Sequence, residues 1–447
     1  MGWKLERLLS GGSLGAALGA YATGVAVTSG PWLVTTLVLV MLRISAVRAV
    51  DLGIYQVELV ITVVYATVLV LSAPVNIVMS RFASDRVYER RADAIAAPLR
   101  RALATTLVAF AVAGALIGLV LGLPGGLAIG CISLTVIVGA QWLLLSAAGG
   151  LSNPSTILRA FAAGAPVSVV AAIGLARIEG FEASGYLYGF GLGQLVTMTW
   201  LLHGTFSVLP AEEDDSARIG PAFVEYWLLG LAALMLQGGI WIDKLVVYFQ
   251  HGGQVASSYA ALAALAWLTV VPTCAYLFVQ VETRFYRGFK AFYDAVEQGA
   301  PLAELDEASA SVDAATRRVL LSTAALQMVC TGIAMALAER VTTPLGLGAD
   351  PWTARVLLLG ATMQVVSLCA TLLLHYFDFQ WEALVAAACM LVGNGVLTAL
   401  IGGGLPIGSG YALACTGSSA VAILLLAARM RTLLRDTYQS QPYGAEG

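Results

Sequence analysis

Twelve runs of mostly apolar residues, each about long enough to span a bilayer, leave this chain little choice of architecture. In hydrocarbon no water satisfies a peptide N–H or C=O, so a spanning segment must be a helix or part of a closed barrel. A spanning helix needs about 20 apolar residues, whereas a barrel strand needs only about 9–11. The runs fall at 14–42, 54–79, 102–122, 127–147, 157–177, 184–206, 222–249, 257–281, 317–338, 353–375, 383–401 and 409–428. Only 11% of the 447 residues are charged, against about 25% in an average soluble chain. No polar block is long enough for a large soluble domain. The expected class is an all-α integral membrane protein with about twelve transmembrane helices.

A charged stretch occurs twice, each time between the second and third runs of a half. Ser80-Arg81-Phe82 recurs as Thr283-Arg284-Phe285, and Ala97-Pro98-Leu99 recurs as Ala300-Pro301-Leu302, both at an offset of 203. Arg100-Arg101 is echoed by Arg317-Arg318 at an offset of 217, so the second copy carries 14 extra residues. Three landmarks in one order point to two diverged, pseudo-symmetric six-helix bundles. The expected division is 1–206 for the first bundle, 207–221 for a cytoplasmic linker, 222–428 for the second bundle and 429–447 for a cytoplasmic tail. The linker contains Glu212-Glu213-Asp214-Asp215, which reads as solvated connector.

Orientation follows from the basic residues. With the N-terminus inside, 18 Lys and Arg fall on the inner side and 6 on the outer. Both termini and both charged repeats are then cytoplasmic. The basic, amphipathic start (Met1 to Leu9) resembles the opening of a signal peptide. The apolar run continues past Ala20-Tyr21-Ala22, however, so an uncleaved first helix is expected. Six cysteines stand singly in apolar runs and read as small hydrophobes. Glycine every fourth residue, as in Gly11-Gly15-Gly19, Gly114-Gly118-Gly122 and Gly185-Gly189-Gly193, lines helix faces for close packing.

The motifs of soluble catalysis fail. There is no phosphate-binding loop, no His-Glu-x-x-His, and only three widely separated histidines. No catalytic residue, metal site, cofactor or nucleic-acid partner is expected, and the chain is not read as an enzyme. What remains is polar groups at membrane depth, which are costly in lipid and face a lumen or another helix. Glu58, Asp243 and Lys244 are the charged ones. Asp243 and Lys244 are sequence neighbours, and neighbours on a helix point apart, so each is expected to find another partner. Neutral amides fall on eight spans: Asn76, Gln141, Gln194, Gln237, Gln280, Gln327, Gln364 and Asn394. They suit a polar passage or hydrogen bonds between helices. Glu58, Gln141, Gln237, Asp243 and Lys244 are the candidates for a substrate passage. Gly30 and Pro31 in the first run, with Pro74 and Pro272 near the inner ends of second runs, are candidate hinges. Arg81, Arg284, Arg287 and Lys290 are candidates to face a cytoplasmic partner, or to meet anionic lipid and enforce topology. Phe285, Tyr286, Phe289, Phe292 and Tyr293 recur at helical spacing, which suits an amphipathic helix along the inner surface.

Several landmarks are more specific. They are Gly2-Trp3-Lys4-Leu5-Glu6-Arg7-Leu8-Leu9, Thr28-Ser29-Gly30-Pro31-Trp32, Ser80 to Tyr88, Trp241-Ile242-Asp243-Lys244, and Glu282-Thr283-Arg284-Phe285-Tyr286. With these the chain resembles the multidrug/oligosaccharidyl-lipid/polysaccharide (MOP) exporter superfamily, and within it the family of Pel exopolysaccharide inner-membrane transporters. The resemblance implies export of a hexosamine-rich polysaccharide from cytoplasm to periplasm across a bacterial inner membrane. It also implies work beside a cytoplasmic glycosyltransferase, a cyclic-di-GMP-sensing membrane protein and a further membrane subunit. The alternatives in the same superfamily are a flippase for lipid-linked oligosaccharide and a cation-coupled drug antiporter. From another class, the chain could be a non-transporting scaffold that anchors a synthase.

Overall fold

The computed structural model describes residues 15, 21, 25, 30–48, 54–151, 154–210, 217–345, 347, 351–401 and 404–440. The acidic stretch Glu212 to Asp215, the glycines Gly11 and Gly19 and the end of the tail lie outside the described residues. Six helices come first: α1 (Gly30–Arg48), α2 (Ile54–Tyr88), α3 (Ala96–Val120), α4 (Gly125–Gly150), α5 (Pro154–Leu175) and α6 (Glu182–Phe206). A short helix, α7 (Gly220–Glu225), leads into α8 (Trp227–His251), α9 (Gly253–Leu268) and α10 (Val271–Gln280). A π-helical turn, Val281–Phe285, joins α10 to α11 (Tyr286–Glu297). The long α12 (Leu302–Thr342) follows, then α13 (Pro351–Tyr376), α14 (Gln380–Leu400), α15 (Ser409–Met430) and α16 (Leu433–Ser440). No strand occurs among the described residues.

Nine of these helices are long and apolar enough to cross a membrane, and the pair formed by α9 and Val271–Glu297, bent by 41°, makes a tenth among the described residues. Of the other two expected spans, the described part of the first holds the shorter apolar stretch Leu33–Ile44, and the run 184–206 coincides with the 25-residue α6, which is not among these ten. The protein is therefore a multi-pass membrane protein. Helices α1 to α6 pack mainly on one another, and so do α8 to α15; the two sets meet where α2 crosses α8 and α9.

Both charged repeats are helical, where the hydropathy pattern ends the second span at 79. Helix α2 runs on to Tyr88. Its charges pair along one face, with Arg81 Nε 3.6 Å from Asp85 and Arg86 Nη1 2.8 Å from Glu89. Such i,i+4 and i,i+3 pairs support helix without needing an apolar environment. Likewise α12 begins at Leu302 rather than near 317. Leu305, Val312 and Val319 are buried at seven-residue spacing and pack with Phe285, Phe292 and Val296. The 14 extra residues of the second repeat thus equal two heptads, about four turns, which keeps that stripe in phase.

Two aromatic and glycine readings change in the structure. The aromatic face of residues 285–293 does not lie open on the surface. Phe285 and Phe292 are fully buried, and Phe285 and Phe289 meet Tyr376 and Phe377 at ring distances of 5.4–5.9 Å. The chain's own α13–α14 corner covers the face. Among the glycines, Gly122 is not a packing residue. It takes φ +59 beyond the end of α3, and the Leu123 amide donates to Gly118 O over 3.0 Å, the arrangement of a left-handed helix cap.

Gly185, Gly189 and Gly193 do line a close approach of α6 to α5. A Cβ on Gly189 would overlap the Ala172 backbone, and one on Gly193 would overlap Ser168. By contrast, a Cβ on Gly191 meets nothing within 4 Å. Gly189→Ala is expected to cost about 1–3 kcal/mol by forcing the helices apart. Gly191→Ala should be neutral or slightly stabilising. Thermal unfolding of the two variants in one detergent checks the contrast.

Candidate functional site

Where α2 and α4 face α8 and α13, the two sets of helices enclose a cavity of about 400 Å³, within the usual 300–1,000 Å³ of ligand sites. It lies in the half of the helices nearer the charged repeats. On α2 its wall runs from Leu69 to Ser80, and on α13 from Leu368 to His375. Its polar lining is neutral in kind: Asn76, Ser80, Trp142, Ser146, Gln237 and Thr371, with His375. Among the described residues, none that lines it is Asp, Glu, Lys or Arg. Asn76 Nδ2 donates to Ser72 Oγ over 2.9 Å, while its Oδ1 has no partner within the protein. Trp142 Nε1 likewise donates to no protein group. His375 Nδ1 lies 2.8 Å from Gln380 Oε1, so Nδ1 carries the proton and Nε2 is the acceptor left over. An indole, an amide acceptor and several hydroxyls on apolar walls can stack against and hydrogen-bond an uncharged, hydroxylated ligand. A cation would find no carboxylate there to offset its desolvation.

The opposite end of the interface is closed by a charged knot. Arg43 of α1 donates from Nη1 to Glu58 Oε2 of α2 over 2.6 Å, and from Nε to Leu345 O over 3.0 Å. Ser257 of α9 donates to the same Glu58 oxygen over 2.6 Å. The side chains of Arg43 and Glu58 are only 6% and 15% exposed. Beside them is a residual void of about 80 Å³. Between this knot and the cavity, Val60, Ile61, Val64 and Val68 of α2 are buried.

Asp243 and Lys244 are buried inside the second set of helices, at 0% and 7% exposure, and they do pair with one another. Lys244 Nζ donates to Asp243 Oδ1 and Oδ2 over 3.0 and 2.9 Å, and to Ile240 O over 2.9 Å. The expectation that helix neighbours point apart fails here because the long lysine stem folds back one turn to Ile240. The carboxylate also accepts from Tyr259 OH at 2.7 Å and from Asn394 Nδ2 at 3.3 Å. Tyr411, Trp241 and Trp267 present ring faces to the ammonium at 5.0, 5.7 and 5.9 Å, within cation–π reach. The cluster ties α8 to α9, α14 and α15.

The remaining candidates are scattered. Gln237 lines the cavity, and Glu58 sits in the far knot. Gln141 is 2% exposed within the first set, and its Oε1 accepts no bond from the protein. Of the other amides, Gln194 accepts from Tyr65, Gln327 donates to Thr331, and Asn394 donates to Gly239 O. These bond between or within helices, whereas Asn76 and Gln237 face the cavity. Gly30 and Pro31 open the described part of α1; the Pro31 side chain lies outside the described residues. Pro74 lies inside an unbroken α2, facing Gly230 of α8, where an added Cβ would lie 3.6 Å from the proline Cβ. Pro272 is the second residue of α10, just past the bend at Thr269 and Val270.

At the charged end Arg284, Arg287 and Lys290 are exposed on one side of α11 and the turn before it. Arg81 is exposed too, but its guanidinium lies 5.8 Å from the centre of the Tyr226 ring. Tyr226 OH donates to Asp85 Oδ2 over 2.8 Å. Burial, with the Asp85 carboxylate next, pushes the Tyr226 phenol up to about 12, so it stays a donor at neutral pH. The short α7 before it packs on α2 and α3 through Ala222 and Phe223. The helical break at Tyr226 therefore falls four residues beyond the expected start of the second half. Sequence reasoning passed over Arg43, Trp142, Ser257, Tyr259 and His375. Arg43 had one signal, a lone charge at the end of an apolar run.

A family model described as PelG, exopolysaccharide exporter (EPS-E), matches residues 1–438. None of the curated proteins compared with the chain matches it. Among solved structures, an inward-facing multidrug resistance MATE family transporter of the MOP superfamily superposes with a TM-score of 0.63 at 12% identity, covering 95% of this chain and 96% of that one. An outward-facing conformation of a MATE family transporter gives 0.57 at 13% identity, over 94% and 99% of the two chains. A MOP superfamily transporter from Pyrococcus furiosus gives 0.59 at 14% identity, over 92% and 96%. At these identities the likeness is one of fold. Family and fold are those of transporters, not enzymes.

Proposed function

Because this chain belongs to the PelG exopolysaccharide exporter family, we propose that it moves a hexosamine-rich, Pel-like polysaccharide outward through the cavity between its two sets of helices. The observation that carries this reading is the cavity wall: an indole, neutral amides and hydroxyls, with no carboxylate among the described lining residues. That lining favours uncharged, N-acylated hexosamine units over the cationic drugs of an antiporter. In the proposed orientation both termini and the charged repeats face the cytoplasm of a bacterial inner membrane. The cavity then lies on the side from which substrate arrives, and the Arg43–Glu58–Ser257 knot holds the periplasmic side shut. Arg284, Arg287 and Lys290 would meet the cytoplasmic glycosyltransferase or the cyclic-di-GMP-sensing subunit of a synthase-dependent complex. The break at Tyr226 separates the two sets and would let one rock against the other.

The test is extracellular hexosamine polymer in a clean deletion, complemented with intact protein or with Ala233→Trp, which fills the cavity from α8. Intact protein should restore secretion, and Ala233→Trp at equal membrane level should restore less than a tenth of it. Full restoration by Ala233→Trp would favour a scaffold. Unchanged polymer with altered drug tolerance would favour the antiporter, and accumulated lipid-linked sugar the flippase.

A further inference from the structure

Away from the central cavity, a second concavity of about 700 Å³ runs along the flank of the first set of helices, between α3 and α6. Both helices pack on α4 and leave a groove between themselves. Its walls are one face of each: Arg100, Leu103 and Leu107 on α3, and Leu202, His203 and Phe206 on α6. Spacing of three and four residues puts these side chains in a line on each helix. The groove has a polar end and an apolar end. Arg100 and His203 lie at the charged end, in the early turns of α3 and the last turn of α6. Leu107 lies about 10 Å deeper, seven residues along at ~1.5 Å each. Leu107 and Leu202 are 42% and 38% exposed, and Val108 beside them is 68% exposed, on helices that cross the membrane. Arg101, the neighbour of Arg100, donates to Ala217 O over 2.7 Å.

We propose that this groove binds one anionic phospholipid, its phosphate held by Arg100 and His203 and an acyl chain lying along Leu103, Leu107 and Leu202. Arginine recognises phosphate through paired N–H donors, and anionic lipids are drawn to basic groups at the inner leaflet. The apolar wall running into the membrane selects an amphiphile over a soluble anion. The site is separate from the central cavity and does not depend on what the protein transports.

The experiment is native mass spectrometry of the full chain in neutral detergent, with phosphatidylglycerol or phosphatidylcholine of identical chains added. The wild type should retain phosphatidylglycerol in preference. Arg100→Gln with His203→Gln should lower that preference at least tenfold, and Leu107→Trp, which fills the groove without touching a charge, should do the same. Arg317→Gln, at the equivalent repeat position in the other half, should leave it intact. Phosphatidylglycerol should also raise the melting temperature of the wild type and not of the groove variants. Equal retention of the two lipids by the wild type, or undiminished preference in the groove variants, would overturn the proposal. So would inorganic phosphate raising the melting temperature as much as the lipid does, which would mark a soluble-anion site.

Discussion

Asp243→Asn is expected to destabilise the protein by about 3–5 kcal/mol, because it strands the Lys244 ammonium inside the second set of helices. In the native cluster the carboxylate takes both lysine contacts, the Tyr259 hydroxyl and the Asn394 amide. Removing the charge leaves Lys244 with the Ile240 carbonyl and three aromatic faces. Lys244→Met should be costly in the same way, since it leaves a carboxylate at 0% exposure without its cation. The joint change Asp243→Leu with Lys244→Met removes both charges and should recover most of the loss, as buried pairs exchanged for apolar residues often do. Thermal unfolding in one detergent reads all three. Single and double variants melting together would show that the pair does not hold this bundle in its arrangement. Transport assays on the single variants must be read against this, since a loss of export there would follow from a loss of fold.

Glu58→Ala should open the end of the interface opposite the cavity. Glu58 accepts from Arg43 of the first set and Ser257 of the second, so one side chain fastens both. Among the described residues, its removal leaves a buried guanidinium with the Leu345 carbonyl and the face of the Tyr55 ring. A penalty of about 3 kcal/mol on the closed arrangement corresponds to roughly a 150-fold shift in population. Spin labels at Gln56→Cys on α2 and Gln254→Cys on α9, both exposed, would report it in a background lacking the six native cysteines. The expected result is a longer distance component by double electron–electron resonance in Glu58→Ala and its absence in the parent. An unchanged distribution would mean that the apolar packing of Val57 to Val68 closes this end unaided.

Hydropathy made the spanning helices legible, because lipid leaves a backbone few alternatives. It was silent on where they stop. Residues 80–88 and 302–316 are polar yet helical, held by ion pairs in one case and by a heptad stripe against α11 in the other. The cavity was harder to see. Gln237 and Asn76 carry the same amide as Gln327 and Asn394, and only the rotation of each helix about its axis decides which faces the space between the two sets. Trp142 and His375 gave no signal, since an aromatic residue in an apolar run reads as core. Asp243 and Lys244 stood out as intramembrane charges, but spacing rules treat side chains as short, and a four-carbon stem reaches back where they say it should not.

Helix α12 is a single rod of 41 residues, about 60 Å long. Arg317 and Arg318, where its apolar part begins, divide it roughly two parts to three. The shorter arm projects beyond the surface and is splinted by α11 through Leu305 and Val312. Such a beam has leverage: a sideways push of ~4 Å on the outer tip, pivoting at the arginines, swings the buried end by ~6 Å at constant ~1.5 Å rise per residue. A partner bound to the tip would therefore need no access to the transport path to act on it. It could steer the far end of the membrane span from outside, as a tiller does a rudder.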